Sequence, residues 1–262
     1  MGIAEQTLDA APPAAEDPPA RLPPPPDALP GLALFLDLDG VLAPLAPTPD
    51  DVRPDARRSA VLRAVSERLD GRVAIVSGRP LEEIDRIAER AVTPASGVHG
   101  LERRRADGTL LESEPHEAVR EAVAAFQAFA RDRPGLIVEN KDVAAGLHYR
   151  GDPSQAGAAE ALARDLADRT GLKLQPGKLV LELKTPGADK GTALTAFMDE
   201  APFAGGVPVM VGDDLTDEHG FRAAAALGGF GVLVGEPRDT AARFGLADVE
   251  AVLDWLEKVR AA

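Results

Sequence analysis

Apolar residues run without a break from Leu32 to Leu36, and the run ends in Asp37, Leu38, Asp39 and Gly40. An uninterrupted run closed by glycine predicts a strand buried on both faces of a parallel sheet. The pattern then changes period. Ala60, Leu62, Val65 and Leu69 recur at helical spacing within residues 54–69, Gly71 closes that helix, and residues 72–76 form a second apolar run leading into Ser77-Gly78-Arg79. A helix over residues 81–90 follows. Strand, helix, strand, helix predicts a doubly wound α/β sheet.

Residues 93–105 read as a short strand and loop, which Asp107-Gly108 turns back as a hairpin. The next block is organised differently: a helix (116–131), two strands (136–139 and 143–149), a helix (153–170) and two strands (172–175 and 178–183). The turns Asn140-Lys141-Asp142 and Pro176-Gly177 are short, which favours antiparallel hairpins. Such an αββαββ block is a self-contained α+β unit. The chain is therefore expected to divide into a proline-rich tail (1–30), a Rossmann-like core (31–111 and 185–262) and an inserted α+β cap (112–184). The core pattern resumes with a helix from Asp189 to about residue 200, a strand at 207–211 and the stretch Gly212-Asp-Asp-Leu-Thr-Asp-Glu218. A helix to Leu227, a strand at 231–234 and a closing helix at 247–259 complete it.

With 262 residues, 45% of them apolar, the chain can bury one large core or two smaller ones. Twenty-nine basic against 43 acidic residues leave a net charge of −14, which argues against nucleic acid or an anionic membrane as partner. An anionic substrate would need a local positive centre. Cysteine is absent, which excludes disulfides and thiolate metal sites. No apolar stretch is long enough for a transmembrane helix, and no basic-then-apolar leader opens the chain. A cytoplasmic monomer acting on a small molecule is the expectation. The first thirty residues hold nine prolines and are expected to stay disordered or polyproline.

Ligands of open α/β sheets bind beyond the carboxyl ends of the strands. Four stretches fall there or at the helix starts that follow: Asp37 with Asp39, Ser77, Lys190, and Asp213 with Asp214 and Asp217. Residues i and i+2 of a strand point to one side, so Asp37 and Asp39 can reach the same substrate atom. Each stretch alone has a plainer explanation. Asp39-Gly40 could be a turn, Ser77 and one of Asp214 and Asp217 could be helix caps, and Lys190 a solvated first-turn lysine. Together they do not, because five aspartates at one sheet edge repel one another unless a cation sits among them. Carboxylates and carbonyls, with no cysteine and few histidines, suit Mg²⁺.

With Mg²⁺ and Lys190 supplying positive charge, the pocket becomes a receptor for phosphate, and Ser77 and the neighbouring backbone N–H groups can donate to its oxygens. Asp37, with an ordinary pKa of about 3.9, is expected to be ionised and to attack phosphorus, giving an aspartyl-phosphate. Asp39 then protonates the leaving oxygen and later deprotonates water. Asp39 is expected to reach the metal through its carbonyl oxygen only.

This order of motifs resembles the haloacid dehalogenase superfamily of phosphatases: Asp-x-Asp-Gly, then Ser, then Lys, then an Asp-Asp cluster. The inserted block resembles the cap that members carry between the second and third motifs. The match narrows to the trehalose-6-phosphate phosphatase family through several stretches. These are Asp37-Leu-Asp39-Gly40, Ser77-Gly78-Arg79, Gly97-Val-His99-Gly100-Leu-Glu102, His148-Tyr-Arg150, Leu181-Glu-Leu-Lys-Thr-Pro-Gly-Ala-Asp-Lys190-Gly and Gly212-Asp-Asp-Leu-Thr-Asp-Glu218. It spans residues 32–257.

The resemblance implies Asp37 as nucleophile, Asp39 as general acid and base, and Ser77 and Lys190 on the phosphate, with Gly78 and Arg79 beside it. It implies Asp37, the Asp39 carbonyl and Asp213 on Mg²⁺, with Asp214 and Asp217 standing behind them. The family's sugar-binding positions fall on Glu139, Lys141, Arg150, Lys178 and Glu182, whose charges suit a ring of hydroxyls. His99 and His148 are weaker candidates. Val41 departs from the threonine that many relatives carry there. A cap that closes over the core during phosphoryl transfer is also expected.

Two rivals share part of this pattern. Another sugar-phosphate phosphatase or mutase would keep the core residues and differ in the cap. A phospho-accepting receiver also uses Asp, Thr and Lys on a parallel sheet, but it is about half this length, has no inserted domain and lacks the second aspartate two residues on.

Overall fold

The structure, a computed structural model, describes residues 20–112, 116–141, 143–187 and 189–261. In chain order its elements are β1 (Ala28–Leu29), β2 (Leu32–Leu36), α1 (Ala56–Arg68), β3 (Val73–Val76), α2 (Leu81–Ala88), β4 (Ala95–Gly97), β5 (Glu102–Arg104) and β6 (Leu110–Glu112). There follow α3 (Ala118–Ala130), β7 (Ile137–Asn140), β8 (Ala144–His148), α4 (Ala156–Thr170), β9 (Lys173–Gly177) and β10 (Val180–Lys184). The chain closes with α5 (Lys190–Met198), β11 (Val207–Gly212), α6 (Glu218–Ala226), β12 (Phe230–Val234), β13 (Phe244–Leu246), α7 (Val249–Lys258) and β14 (Arg260–Ala261).

The large sheet has the order β13-β12-β11-β2-β3-β4-β5-β6, parallel from β13 to β4, with the β5–β6 hairpin antiparallel at one edge. Strand β2 lies near its middle, and all five of its residues are fully buried. Alternation divides them: Leu32, Leu34 and Leu36 pack with α1, α2 and α7, while Ala33 and Phe35 pack with α5 and α6. Phe35, Phe197 and Phe203 stack with ring centroids 5.3–6.0 Å apart. In α1 the inner face holds Val61, Leu62 and Val65, which leaves Ala60 exposed rather than inside as its spacing had suggested.

The second sheet, β7-β8-β10-β9, is antiparallel. Ala145, Leu147, Leu181 and Leu183 face α3 and α4 and form a separate core with Val119, Phe126, Ala163 and Leu166. The opposite face carries Glu139, Gly146, His148, Glu182 and Lys184 and turns toward the large sheet, where Val143 and Ala144 pack on Val98 and Leu101. A parallel core bearing a small antiparallel cap is the expected α/β architecture.

The N-terminal segment departs from its composition. Residues 1–19 lie outside the described residues, but residues 20–30, which share the expectation of disorder, are docked on the core. Leu22 packs on the α5/α6 side, Pro25 is buried, and β1 pairs with β14. Proline has no N–H, so the run Pro23–Pro26 can only accept. Pro23 O takes the Gly245 amide at 2.9 Å and Pro26 O takes the Trp255 indole N–H at 3.2 Å.

Candidate active site

Asp37 follows the last residue of β2, and its backbone N–H donates to Val211 O at 3.0 Å, which fixes it at the strand end. The chain then doubles back. Leu42 and Ala43 N–H donate to Leu38 O, while Leu38, Val41 and Leu42 are buried beneath the turn. Gly40 has φ of +78°, and a Cβ on it would lie 2.1 Å from Asp213 Oδ2. Only glycine lets Asp213 come this close. Gly212 serves the same end, since its Cβ would lie 2.2 Å from the Asp217 carboxyl carbon.

Lys190 is the first residue of α5 because Asp189 caps that helix. The Asp189 carboxylate accepts from Thr192 N–H at 2.9 Å, and the Thr192 hydroxyl accepts from Asp189 N–H at 2.8 Å. The buried Lys190 ammonium lies 2.9 Å from Asp37 Oδ2 and 2.6 Å from Asp217 Oδ1. Burial pulls its proton affinity down, but Asp217 and Asp37 outweigh that and raise it above the usual lysine range. Asp217, with no exposed surface, accepts from the Asp213 and Asp214 amides through Oδ2 at 2.9 and 3.0 Å. Asp214 is exposed and its side chain accepts from Leu215 N–H.

Carboxylate oxygens of Asp37, Asp213 and Asp217 lie within 4.8 Å of one another. Burial, with Asp217 adding and Lys190 opposing, pushes Asp213 up to about 7. Asp37 is also raised, by burial above all, with Lys190 opposing and Asp217 and Asp213 adding. This corrects the expectation that Asp37 is ionised as an ordinary carboxylate: its charge depends on cations around it. The donor set therefore fits a metal ion, with hard oxygens and two carboxyls whose proton affinity is raised by burial and by neighbouring carboxylates. Both Asp217 oxygens are already used, so the carboxylates with room for an ion are those of Asp37 and Asp213.

Asp39 is engaged by Arg79, whose Nε donates to Oδ2 at 2.7 Å and Nη2 to Oδ1 at 2.8 Å. Arg79, expected on the phosphate, is thus paired with the other carboxylate of the motif. Ser77 is buried after β3, and its Oγ accepts from Arg79 N–H at 3.2 Å. Val98, packed under the cap, has φ of 44°, an unfavourable conformation for a β-branched residue.

From the cap, Lys141 reaches the core: its Nζ lies 2.5 Å from Glu182 Oε1, 3.7 Å from Glu139 and 3.3 Å from Gly78 O. Burial lowers the proton affinity of Lys141, but Glu182 and Glu139 more than reverse this. His148 Nε2 sits 2.9 Å from Glu139 Oε2. Arg150 donates to Ala46 O and Pro47 O at 3.3 and 2.5 Å, a second link to the core. Lys178 is a different matter. The sequence pattern puts it on one strand face with Glu182, but it lies exposed in the β9–β10 turn, because β10 begins only at Val180. The side chain of His99 lies outside the described residues. Two features escaped the sequence reading: the Arg79–Asp39 pair and the buried Lys184, for neither of which spacing gives a signal.

Over 88% of its length the chain superposes on 99% of a haloacid dehalogenase-like hydrolase from Bacteroides thetaiotaomicron, at 18% identity and a TM-score of 0.62. The fold is thus that of the haloacid dehalogenase-like class. A structure titled trehalose-6-phosphate phosphatase related protein gives a TM-score of 0.70 at 27% identity, covering 86% of this chain and 95% of that one. The trehalose-6-phosphate phosphatase of Escherichia coli (strain K12) is 40% identical over 232 residues, 88% of this chain and 87% of that protein. The family described as trehalose-phosphatase matches residues 35–249. The chain belongs to the trehalose-phosphatase family, and it is an enzyme of the phosphoric monoester hydrolase class. No helix among the described residues is long and apolar enough to cross a membrane.

Proposed function

We propose that the protein is a Mg²⁺-dependent phosphatase that hydrolyses trehalose 6-phosphate to trehalose and phosphate in the cytoplasm, as a step of trehalose formation. The observation that carries this reading is Lys141, whose ammonium joins Glu182 on the cap to Gly78 O in the turn beside Ser77. The hydroxyl-reading face of the cap thus lies directly over the phosphate-reading end of the core.

In the first step an Asp37 oxygen forms a bond to phosphorus as the bond from phosphorus to the sugar oxygen breaks, and Asp39 gives its proton to that oxygen. In the second, Asp39 takes a proton from water, the water oxygen attacks phosphorus, and the Asp37–phosphorus bond breaks to release phosphate. Ser77 and Lys190 hold the phosphoryl oxygens. Arg79 restrains Asp39 until the phosphate offers its guanidinium another anion. Asp37, the Asp39 carbonyl and Asp213 would hold Mg²⁺, which when bound would neutralise charge on the phosphoryl group. Asp217 orients Asp213 and Lys190, and Asp214 caps the turn.

Glu139, Lys141, Arg150 and Glu182 contact the two sugar rings, with Lys178 at the rim. The bonds of Lys141 and Arg150 to core carbonyls hold the cap down, and the cap opens to admit the disaccharide. The test is phosphate release from a panel of sugar phosphates. Trehalose 6-phosphate is expected to exceed glucose 6-phosphate in kcat/KM by at least about a hundredfold, and equal rates would refute the substrate assignment.

A further inference from the structure

Glu218 closes the stretch that carries Asp213, Asp214 and Asp217, and it opens α6. Its carboxylate is buried and engaged through both oxygens. Oε1 accepts from Arg238 Nη1 and from the Thr240 hydroxyl, the latter at 2.6 Å, and Oε2 accepts from Ala241 N–H at 2.9 Å. Burial pushes the Glu218 carboxyl up, but Thr240, Ala241 and Arg238 outweigh that and hold it below the ordinary glutamate range. All three donors come from one segment, the link between β12 and β13. That link is pinned at both ends: Gly235 N–H donates to Leu246 O and Arg243 N–H to Gly231 O, each at 3.0 Å, and Ala242 is buried in the core on the α5/α6 side.

Arg238 has a second arm, whose Nη2 donates to Asp214 O at 2.9 Å. The same carbonyl accepts from Asp217 N–H at 3.1 Å, and Asp217 Oδ2 in turn takes the Asp213 and Asp214 amides. The backbone at Asp213 and Asp214 is thus held from within its own turn by Asp217 and from a different segment by Arg238. A hold from outside matters because carboxylate oxygens of Asp37, Asp213 and Asp217 stand within 4.8 Å of one another and repel once ionised. A planar guanidinium can grip a carboxylate and a carbonyl at a fixed angle, which an ammonium cannot. Arg222 approaches the same carboxylate only as an exposed ion pair at 3.7 Å.

We infer that Arg238, oriented by Glu218, is a positioning residue for the metal site: by holding Asp214 O it keeps the Asp213 carboxylate beside Asp37, where the two can take up Mg²⁺. The inference rests on the Mg²⁺-dependent reading above. Charge and position predict opposite signs here. Arg238 is a cation near a cation site, so its charge alone weakens Mg²⁺ binding, and its removal would tighten it. Loss of the bond to Asp214 O loosens binding.

Calorimetric titration of Mg²⁺ into the metal-free, full-length chain, without substrate, reads the difference. In Arg238→Met the Mg²⁺ dissociation constant should rise about tenfold, the size of one charge-assisted hydrogen bond. Arg238→Lys keeps the charge against Glu218 but not the two-armed fork, so its constant should rise by a smaller factor. Arg222→Met should stay within about twofold of the wild type, as an exposed pair contributes little. In turnover, the Mg²⁺ concentration for half-maximal rate should shift by the same factor with trehalose 6-phosphate and with p-nitrophenyl phosphate. Excess Mg²⁺ should restore most of kcat in Arg238→Met, and KM for trehalose 6-phosphate should then match the wild type.

Mg²⁺ binding in Arg238→Met that is as tight as in the wild type, or tighter, overturns the inference. A lower melting temperature beside intact Mg²⁺ binding would make the Arg238–Glu218 pair a structural clamp only. If Arg238→Met does not fold, Arg238→Lys carries the same comparison, and an unchanged constant there overturns the inference. So does an Arg222→Met that loses as much affinity as Arg238→Met, because charge near Glu218 would then set the affinity. A wild type that takes up no Mg²⁺ removes the metal reading and this inference with it. A wild type that binds Mg²⁺ beside an Arg238 variant that binds it equally removes the inference alone.

Discussion

Asp213→Asn should make the metal-free protein more stable, although it removes a residue of the proposed metal site. Asp213 sits against Gly40 with Asp37 and Asp217 close by, and burial, together with Asp217, raises its pKa from 3.8 to about 7. That difference corresponds to about 4 kcal/mol of destabilisation once the unfolded chain ionises freely. The sign follows from proton binding. Below pH 4 both states hold the proton, and Asp213 carries no penalty. Between about pH 4 and pH 7 only the unfolded state gives the proton up, so the penalty grows, and above pH 7 it is constant.

Asparagine keeps the shape, cannot ionise, and offers an amide donor to the neighbouring carboxylates. In EDTA the variant should therefore match the wild type near pH 4. It should exceed it by about 2–4 kcal/mol at pH 8, the upper figure being the full pKa effect and the lower allowing for coupling to Asp37. For a chain of this size, that is a rise of about 5–15 °C. Urea denaturation of both proteins at pH 4, 6 and 8 measures it, and the difference between them cancels every other titrating group. Mg²⁺ at saturating concentration should stabilise the wild type at pH 8 and leave the variant nearly unchanged. A variant less stable than wild type at pH 8 in EDTA, or a difference that does not vary with pH, would refute the electrostatic reasoning.

Two further outcomes follow from named contacts. Lys141→Met removes both the Glu182 pair and the bond to Gly78 O, so KM for trehalose 6-phosphate should rise about 10- to 100-fold while p-nitrophenyl phosphate is hydrolysed as before; steady-state kinetics on the two substrates checks it. Deleting residues 1–30 rather than 1–19 uncovers the face under Leu22 and Pro25 and frees the Trp255 indole, which should lower stability by about 2–4 kcal/mol in urea denaturation.

Much of this molecule is written in local pattern. The apolar run at residues 32–36 announces a central strand because its neighbours on both faces are apolar, and a strand end followed by Asp-x-Asp-Gly marks the edge proposed to be reactive. The cap is legible for a similar reason, since its helices and hairpins are each long enough to show a period. Strands of two or three residues such as β1, β13 and β14 are not, because no period fits within them. The docking of residues 20–30 is hidden for another reason: composition records what side chains can bury, whereas Pro23 and Pro26 are held by their carbonyls.

Partner choice among charges is the least legible feature. Arg79 finds Asp39 forty residues away, and Lys184 finds no partner, and both facts arise only when two sheets meet face to face. The Lys178 placement fails by two residues at a hairpin whose turn the sequence puts at Pro176-Gly177 and the structure at Lys178-Leu179.

In the proposed mechanism Asp37 becomes phosphorylated by trehalose 6-phosphate. Rapid acid quench of the Mg²⁺-loaded enzyme, mixed with trehalose 6-phosphate radiolabelled in its phosphate, tests it within a single turnover. Label is expected on the peptide carrying Asp37, discharged by hydroxylamine and absent from Asp37→Asn. Phosphate release at full rate with no label on protein, or label that persists in Asp37→Asn, would contradict it.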